Sequence, residues 1–479
     1  MKIIDYDLLS LQEARILIED AVIARDSLKE FKDEQIESLK ETIKAYMKAN
    51  LKNLTHLAYE ESCYGNENDE YLITDFYIEN IDNELTNFPR VFDVINSENT
   101  NEVFVALPKG ITLSYIAPSL SVLTTFQIIY LALHTRNPVI FVANKKVKNT
   151  IIKMVEDIAE ICYENLYIRN VVSILKINSE LSNETLVESE EISLIIENIL
   201  SDEKLKINNK NADHFLAEMG NNIVFIDKSA DLKKVSNEII RSKSFNNGLL
   251  PGVEQAIVVD SEVYDEAKNY FINNGAYFLT KDEHIKLQKI IYDENLKIRR
   301  ELIGRSAKEL LDMAKIKTNE DIKVLVVTKP YVSINSPYSK EKYHPILSMY
   351  IEDDWLNACE KCVELILNDE KGQSLSIYSN DSYVIEQFIE KKPVARVLVN
   401  TSTGFGTVGL TSNLPLSFIV TSRQITGQKS TSLNPNHFIR YKQIAMENGN
   451  RSNNFDDFIK KLDKESSLFK QVIKNIKDS

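Results

Sequence analysis

The sequence predicts an α/β protein built from two doubly wound parallel sheets. Three observations carry this. Short β-branched runs alternate with amphipathic helical stretches along most of the chain. Turn residues punctuate the alternation. The length of 479 residues allows two or three domains, and 43 % apolar residues suffice for large cores.

Taken in order, Leu11–Ala49 has apolar residues at helical spacing and is expected to be one long helix. Glu102–Leu107 and Ile111–Ile116 read as strands around the turn Pro108-Lys109-Gly110. A helix is expected from there to His134, then a buried strand Pro138–Val142 and a helix Val147–Tyr163. Val171–Leu175 and Ile192–Ile196 repeat the strand signal, giving the rhythm of a doubly wound sheet. A second unit begins near Ile223–Asp227, with strands Ala256–Val259, Val324–Val327, Leu375–Tyr378 and Val397–Val399 separated by helices. The expected division is a nucleotide-binding-type domain over 1–220 and a second α/β domain over 221–405. Residues 406–446 would return to the first domain, 447–454 form a polar linker, and 455–479 carry a terminal amphipathic helix. His437–Ala445 reads as a late strand.

Composition excludes several classes. A net charge of −14, with 57 basic against 71 acidic residues, argues against a nucleic-acid surface. Ser114–Leu133 is the most apolar stretch, but Pro118, Ser119, Ser121, Thr124, Thr125 and Gln127 interrupt the about 20 apolar residues a membrane span needs. The acidic, amphipathic start lacks the basic-then-apolar pattern of a leader, so a cytoplasmic location is expected. Four cysteines are too few for a disulfide scaffold. Cys359 and Cys362 lie in a helical pattern without a second Cys or His pair, so no metal site is expected.

Function enters through a resemblance. Arg241–Gln255, reading Arg-Ser-Lys-Ser-Phe-Asn-Asn-Gly-Leu-Leu-Pro-Gly-Val-Glu-Gln, resembles the nucleophile segment of the CoA-acylating aldehyde dehydrogenases, Ser-Lys-Thr-Phe-Asp-Asn-Gly, two apolar residues, Cys, Ala, Ser, Glu, Gln. Glu341–Leu347 resembles that family's Glu-Lys-Leu-Ser-Pro-Val-Leu. Arg396–Thr401 resembles its Arg-Ile-Leu-Ile-Asn-Thr, and Asn434–Lys442 its Gly-Pro-Lys-His-Leu. The matches fall in the expected order over about Asp7 to Ala445. The group includes the aldehyde dehydrogenase half of bifunctional aldehyde–alcohol dehydrogenases and aldehyde dehydrogenases of bacterial microcompartments.

The resemblance implies an aldehyde dehydrogenase fold, with a strand flap near 92–107 for oligomerisation. It also implies NAD as cofactor and CoA as co-substrate. In the family reaction a thiolate attacks the aldehyde, hydride leaves to the nicotinamide, and CoA removes the acyl group from the cysteine. An Asn side chain and a backbone amide stabilise the oxyanion. In this chain the nucleophile position falls on Pro251, without a gap, and the oxyanion Asn on Ser121. Proline supplies neither a thiol nor an N–H. The resemblance places cofactor contacts at Pro118, Ser119, Asn144, Gly220, Gly248 and Glu341. Glu341 reads either as a ribose ligand or as a solvated loop carboxylate, and Asn144 either as a ribose neighbour or as a strand-end turn residue. Asn400 reads as structural. The family's glycine-rich turn falls on Glu197-Asn198-Ile199-Leu200-Ser201, which has no glycine and sets a carboxylate toward the expected phosphate region. Glu218 falls where the hydrolytic branch keeps its general base.

Two readings remain at this stage. One is a degenerate homologue without aldehyde turnover, acting as a subunit, scaffold or binding protein. The other is a working dehydrogenase using unrecognised residues. A homodimer or a mixed oligomer with an active paralogue is expected. The stripe Phe455, Phe458, Ile459, Leu462, Phe469, Val472, Ile473 and Ile476 either folds back on its own subunit or docks into a microcompartment shell or other partner.

Overall fold

A computed structural model describes residues 5–96, 103–198, 205–218, 220–318, 321–369, 374–421, 431–445 and 455–457. The chain opens with three helices, α1 (Tyr6–Leu28), α2 (Asp33–Ser62) and α3 (Glu67–Leu85). The expected single helix over Leu11–Ala49 is therefore two. The chain breaks at Lys29–Lys32, where the Lys32 N–H donates to the Gln35 side chain at 3.0 Å. Asp33 and Glu34 then supply the negative charge that favours a new helix N-terminus.

Strands β1 (Val94–Asn96) and β2 (Val103–Pro108) follow. With the late strand β15 (Ile439–Ile444) they make a separate three-stranded sheet, ordered β1-β2-β15. Within it the Phe104 and Tyr441 rings meet edge to face at 6.5 Å. The expected strand over His437–Ala445 starts later, because Pro435–Phe438 forms a 3₁₀ turn.

The next elements are β3 (Ile111–Ile116), α4 (Ser121–His134), β4 (Val139–Ala143), α5 (Lys148–Leu166), β5 (Val172–Ile174), α6 (Glu180–Glu188), β6 (Ile192–Asn198) and β7 (Asp213–Ala217). Their five strands form an all-parallel sheet, ordered β5-β4-β3-β6-β7. The two-residue period of a strand sorts the layers. Val139, Phe141 and Ala143 of β4 point toward α2–α5, whereas Ile140 and Val142 point toward α1 and α6.

A second parallel sheet follows. Its elements are β8 (Asn222–Ile226), α7 (Leu232–Ser244), β9 (Glu254–Asp260), α8 (Tyr264–Asn273), β10 (Ala276–Phe278), α9 (Lys281–Ile291), α10 (Ala307–Met313), β11 (Val324–Thr328), β12 (Ile346–Glu352), α11 (Trp355–Asp369), β13 (Ser374–Tyr378), α12 (Ser382–Lys391), β14 (Arg396–Val399) and the short α13 (Thr403–Thr407). The seven strands run in the order β10-β11-β12-β9-β8-β13-β14. Val224 and Ile226 of β8 face α7 and α8, while Ile223 and Phe225 face α11 and α12.

Among the described residues no helix is long and apolar enough to cross a membrane. The expected linker 447–454 and all of the terminal helix beyond Phe455–Asp457 lie outside the described residues.

Two local devices set the ground for the site. Glu70 of α3 is buried against the N-terminus of α4, where its carboxylate accepts the Val122 N–H at 3.0 Å. Burial nevertheless pushes its carboxyl up to about 7 from an ordinary value near 4.5, with the Val122 and Leu123 N–H groups opposing. The second device is the turn Phe245–Gly248 after α7. Asn246 (φ 48°), Asn247 (φ 51°) and Gly248 (φ 79°) occupy the left-handed region in succession. Asn246 donates its N–H to Asp69, its side-chain amide to Ser119 Oγ, and accepts the Asn66 N–H. Asn247 donates its side-chain amide to the Gly65 and Gly304 carbonyls. A Cβ on Gly248 would lie 2.6 Å from the His344 carbonyl oxygen.

Gly248→Ala is expected to destabilise the chain by about 2 kcal/mol or more, because it adds both an unfavourable φ and a backbone collision. Urea unfolding reads this directly. For Glu70 the sign follows from linkage. Between about pH 4.5 and 7 the folded chain holds a proton that the unfolded chain has lost, so stability falls as pH rises. Glu70→Gln has no such titration, and its stability relative to wild type is expected to rise by about 3 kcal/mol from pH 4 to pH 8. Parallel pH profiles for the two proteins would contradict this.

Candidate active-site cleft

From the left-handed turn the chain runs Leu249-Leu250-Pro251-Gly252 into β9. Leu250 is fully buried, and Leu249 packs with Tyr64 and Ile303. Gly252 (φ 78°) sits where a Cβ would meet the Thr407 side chain at 2.5 Å. The strand is then fixed by Glu254. Its buried carboxylate accepts the Ser242 hydroxyl and the Thr403 N–H, each at 2.7 Å, which ties α7, β9 and α13 together. Between the hydrogen-bonded left-handed turn and this carboxylate, Pro251 has little freedom to move.

Pro251 faces a narrow cleft of about 30 Å³. Its apolar wall is Ala117, Leu120, Ala217, Leu249, Phe418 and Val420, with Pro251 itself. Ser119, Thr124, Asn198 and Glu218 are the polar groups. Glu218 donates its N–H to the Val420 carbonyl at 3.2 Å, which holds the start of the β7–β8 connection against the opposite wall. Of the residues singled out by sequence, Pro251, Ser119 and Glu218 thus meet at one cleft. No cysteine lines it. Cys63 is exposed elsewhere, and Cys162, Cys359 and Cys362 are buried in helices.

Ser121, which falls at the expected oxyanion position, lies behind the wall of this cleft. Ser121 is the first residue of α4 and fully buried, and among the described residues its hydroxyl has no hydrogen-bond partner. It does not line the cleft. Leu120 does, because its left-handed backbone (φ 49°) turns its side chain to the wall shared with Pro251. A leucine offers no donor to an oxyanion, so the wall is poorer in hydrogen bonds than the sequence suggested. A φ value is not legible in a Ser-Leu-Ser segment, and no pattern in the sequence marks Leu120.

The expected nucleotide contacts are dispersed. Pro118 is buried beside the cleft, and Gly248 lies behind it against His344. Gly220 is buried at the start of β8, where its carbonyl accepts the Asn222 N–H. Asn144 is exposed at the end of β4 and turns its side-chain oxygen to the Lys146 N–H at 3.0 Å, the geometry of a strand-end turn. Glu341 is buried, with one carboxylate oxygen accepting the Tyr343 hydroxyl at 2.9 Å, and is not a solvated loop carboxylate. Asn400 (φ 55°) exchanges side-chain hydrogen bonds with the Ser379 backbone and is structural.

Glu197 also differs from expectation. Its side chain is buried, accepts the Leu205 N–H at 2.7 Å and pairs with His214 Nε2 at 2.8 Å. The carboxylate is thus consumed between β6 and β7 and does not face a phosphate site. Residues 199–201 of the expected turn lie outside the described residues. Among the described residues no helix lies between β6 and β7.

Sequence reasoning also missed two buried lysines. Lys342 is fully buried and donates to the Tyr338 and Lys340 carbonyls, and burial lowers its ammonium to about 7. Lys243 reaches Gln255 Oε1 at 3.3 Å, and burial holds its ammonium well below the usual lysine range. Neither lines the cleft.

Comparison with known proteins agrees with this geometry. The aldehyde dehydrogenase family profile matches residues 2–411. An aldehyde-alcohol dehydrogenase of Clostridium acetobutylicum is 26 % identical over 353 residues, covering 71 % of this chain and 40 % of that protein. A bifunctional aldehyde-alcohol dehydrogenase of Escherichia coli K12 is 31 % identical over 232 residues, covering 47 % and 26 %. The aligned parts thus span less than half the length of these relatives. Among solved structures, a probable aldehyde dehydrogenase of Listeria monocytogenes superposes with a TM-score of 0.87 at 25 % identity, covering 93 % of this chain and 98 % of that one. The chain belongs to the aldehyde dehydrogenase family, within its CoA-acylating branch.

Proposed function

We propose that this protein is a catalytically degenerate member of its branch, a subunit or binding protein with no turnover of aldehyde through a covalent thioester. The observation that carries the reading is Pro251 facing the cleft beside Leu120. A proline removes the sulfur that would attack the carbonyl and the backbone N–H that would hold the oxyanion. The leucine removes a side-chain donor from the facing wall. Glu218 remains at the cleft as a carboxylate, but general-base activation of water needs an acyl-enzyme to hydrolyse, and no thiol is present to form one. The dispersed donors around Asn144, Glu197 and Glu341 support the further reading that NAD is not held at the family's site. CoA binding has no support from a thioester-forming centre.

The three-stranded sheet supports an assembly role. Among the described residues β1 and β15 are its two outer strands, and an outer strand is where a neighbour's strand can join a sheet. A homodimer, or a mixed oligomer with an active paralogue, completes such edges.

NADH formation from acetaldehyde or propionaldehyde in the presence of CoA is expected at background, since loss of a nucleophile can cost about 10⁶ in turnover. A rate above roughly 1 s⁻¹, ordinary for an enzyme, would overturn the proposal. Pro251→Cys alone is expected to leave the rate near background, because Leu120 still supplies no donor. Adding Leu120→Asn is expected to raise the rate above that of the single variant. Full activity from the single change would show that the cleft is otherwise intact.

Two binding measurements test the rest. Calorimetric titration with NAD is expected to give no saturable heat, and a micromolar Kd would refute the reading of the nucleotide side. Light scattering at micromolar protein is expected to give a dimer or larger, and a strict monomer mass would refute the assembly role.

A further inference from the structure

Away from the cleft, α11 and the end of α12 bring a thiol and an amine into direct contact. Both helices lie on the same face of the seven-stranded sheet and share one hydrophobic core. Cys359 is in the second turn of α11 and is 4 % exposed. Lys392 caps α12 and is 8 % exposed. Lys392 Nζ lies 2.6 Å from Cys359 Sγ and 2.5 Å from the Cys359 carbonyl oxygen, and it also sits over the Phe388 ring face, 4.3 Å from the centroid.

A buried lysine normally pairs with a carboxylate. Among the described residues no carboxylate pairs with Lys392, and its polar partners are the two acceptors of a single cysteine. The Pro393 that follows limits the backbone beside it. The amine is therefore delivered to the sulfur by the fold. The nitrogen and the sulfur are in direct contact, close enough for a single oxygen atom to bridge them. Cys362, one turn along α11, competes for Cys359, but burial pushes its thiol up to about 12 and keeps it protonated and unreactive.

We propose that Cys359 and Lys392 form a peroxide-driven, reductant-reversible covalent cross-link in which one oxygen atom bridges sulfur and nitrogen. The chemistry balances with hydrogen peroxide as oxidant. One peroxide oxidises the Cys359 thiol to a sulfenic acid and is reduced to water. The sulfenic oxygen then bonds to Lys392 Nζ. The S–O–H proton and one N–H proton leave, and a second peroxide takes up the two electrons and both protons to give two waters. The bridge ties α11 to the entry of β14 and rigidifies one edge of the second sheet. It depends on neither Pro251 nor nucleotide binding.

The test is peptide mass spectrometry of the full chain after graded hydrogen peroxide, with and without dithiothreitol. The expected product joins the Cys359 and Lys392 peptides with two hydrogens lost and one oxygen gained, and dithiothreitol separates them again. Cys359→Ser and Lys392→Arg are expected to abolish the product, and Cys362→Ser to retain it. If a variant fails to fold, the wild-type spectrum decides. Recovery of Cys359 as a sulfinic acid or as a disulfide with Cys362, with Lys392 unmodified, would overturn the proposal. A joined peptide pair lacking the extra oxygen would overturn the bridge as written.

Discussion

Three consecutive left-handed residues, Asn246, Asn247 and Gly248, hold the centre of this structure in place. Each such residue costs conformational energy unless its surroundings require it. Here they do. The two asparagine side chains satisfy backbone groups of the α2–α3 connection and of the loop at Gly304, and they reach Ser119 at the head of α4. Gly248 lets the loop at His344 approach to a distance no side chain would allow. The turn thereby joins the five-stranded layer to the seven-stranded one and fixes the direction in which residue 251 faces.

This constraint is independent of what residue 251 is. The same turn that would aim a thiol aims a proline ring, and Glu254, by gathering Ser242 and Thr403, keeps the following strand in register. A frame of this kind persists when the chemistry is lost, because its hydrogen bonds run to backbone and to neighbouring loops rather than to a substrate. Fold and activity are therefore separable here, and activity must be argued from the cleft. The cleft is walled by Leu120, Leu249, Phe418 and Val420, with few donors. Glu197 is held in the same way, since its buried carboxylate accepts the Leu205 N–H and meets His214 Nε2.

Much of the architecture was legible because parallel strands buried on both faces read as continuous apolar runs. Ile111–Ile116 and Val324–Thr328 needed little more than that. β7 was not legible, since Asp213 and His214 at its start hide a short strand, and the break between α1 and α2 was hidden by helical spacing on both sides of it. At the site, Pro251 could be placed because it sits in a segment of distinctive residues. Which of Leu120 and Ser121 reaches the wall was not legible, because it depends on one left-handed φ at Leu120, which sequence does not display. Asn144 and Glu341 were ambiguous in sequence for a related reason. Whether a polar side chain serves a ligand or its own backbone depends on partners brought from elsewhere in the fold, such as Tyr343 for Glu341.

The central claim is that no covalent acyl intermediate can form at this cleft. Intact-protein mass spectrometry after incubation with acetyl-CoA or propionyl-CoA tests it without a cofactor or a rate, since an acyl-CoA would load a catalytic thiol in the reverse direction of the family reaction. The account predicts an unchanged mass for the wild-type chain, and also after all four cysteines are considered one by one in the digest. A single stoichiometric acyl group, removed by free CoA and mapped to a cysteine of this chain, would contradict it.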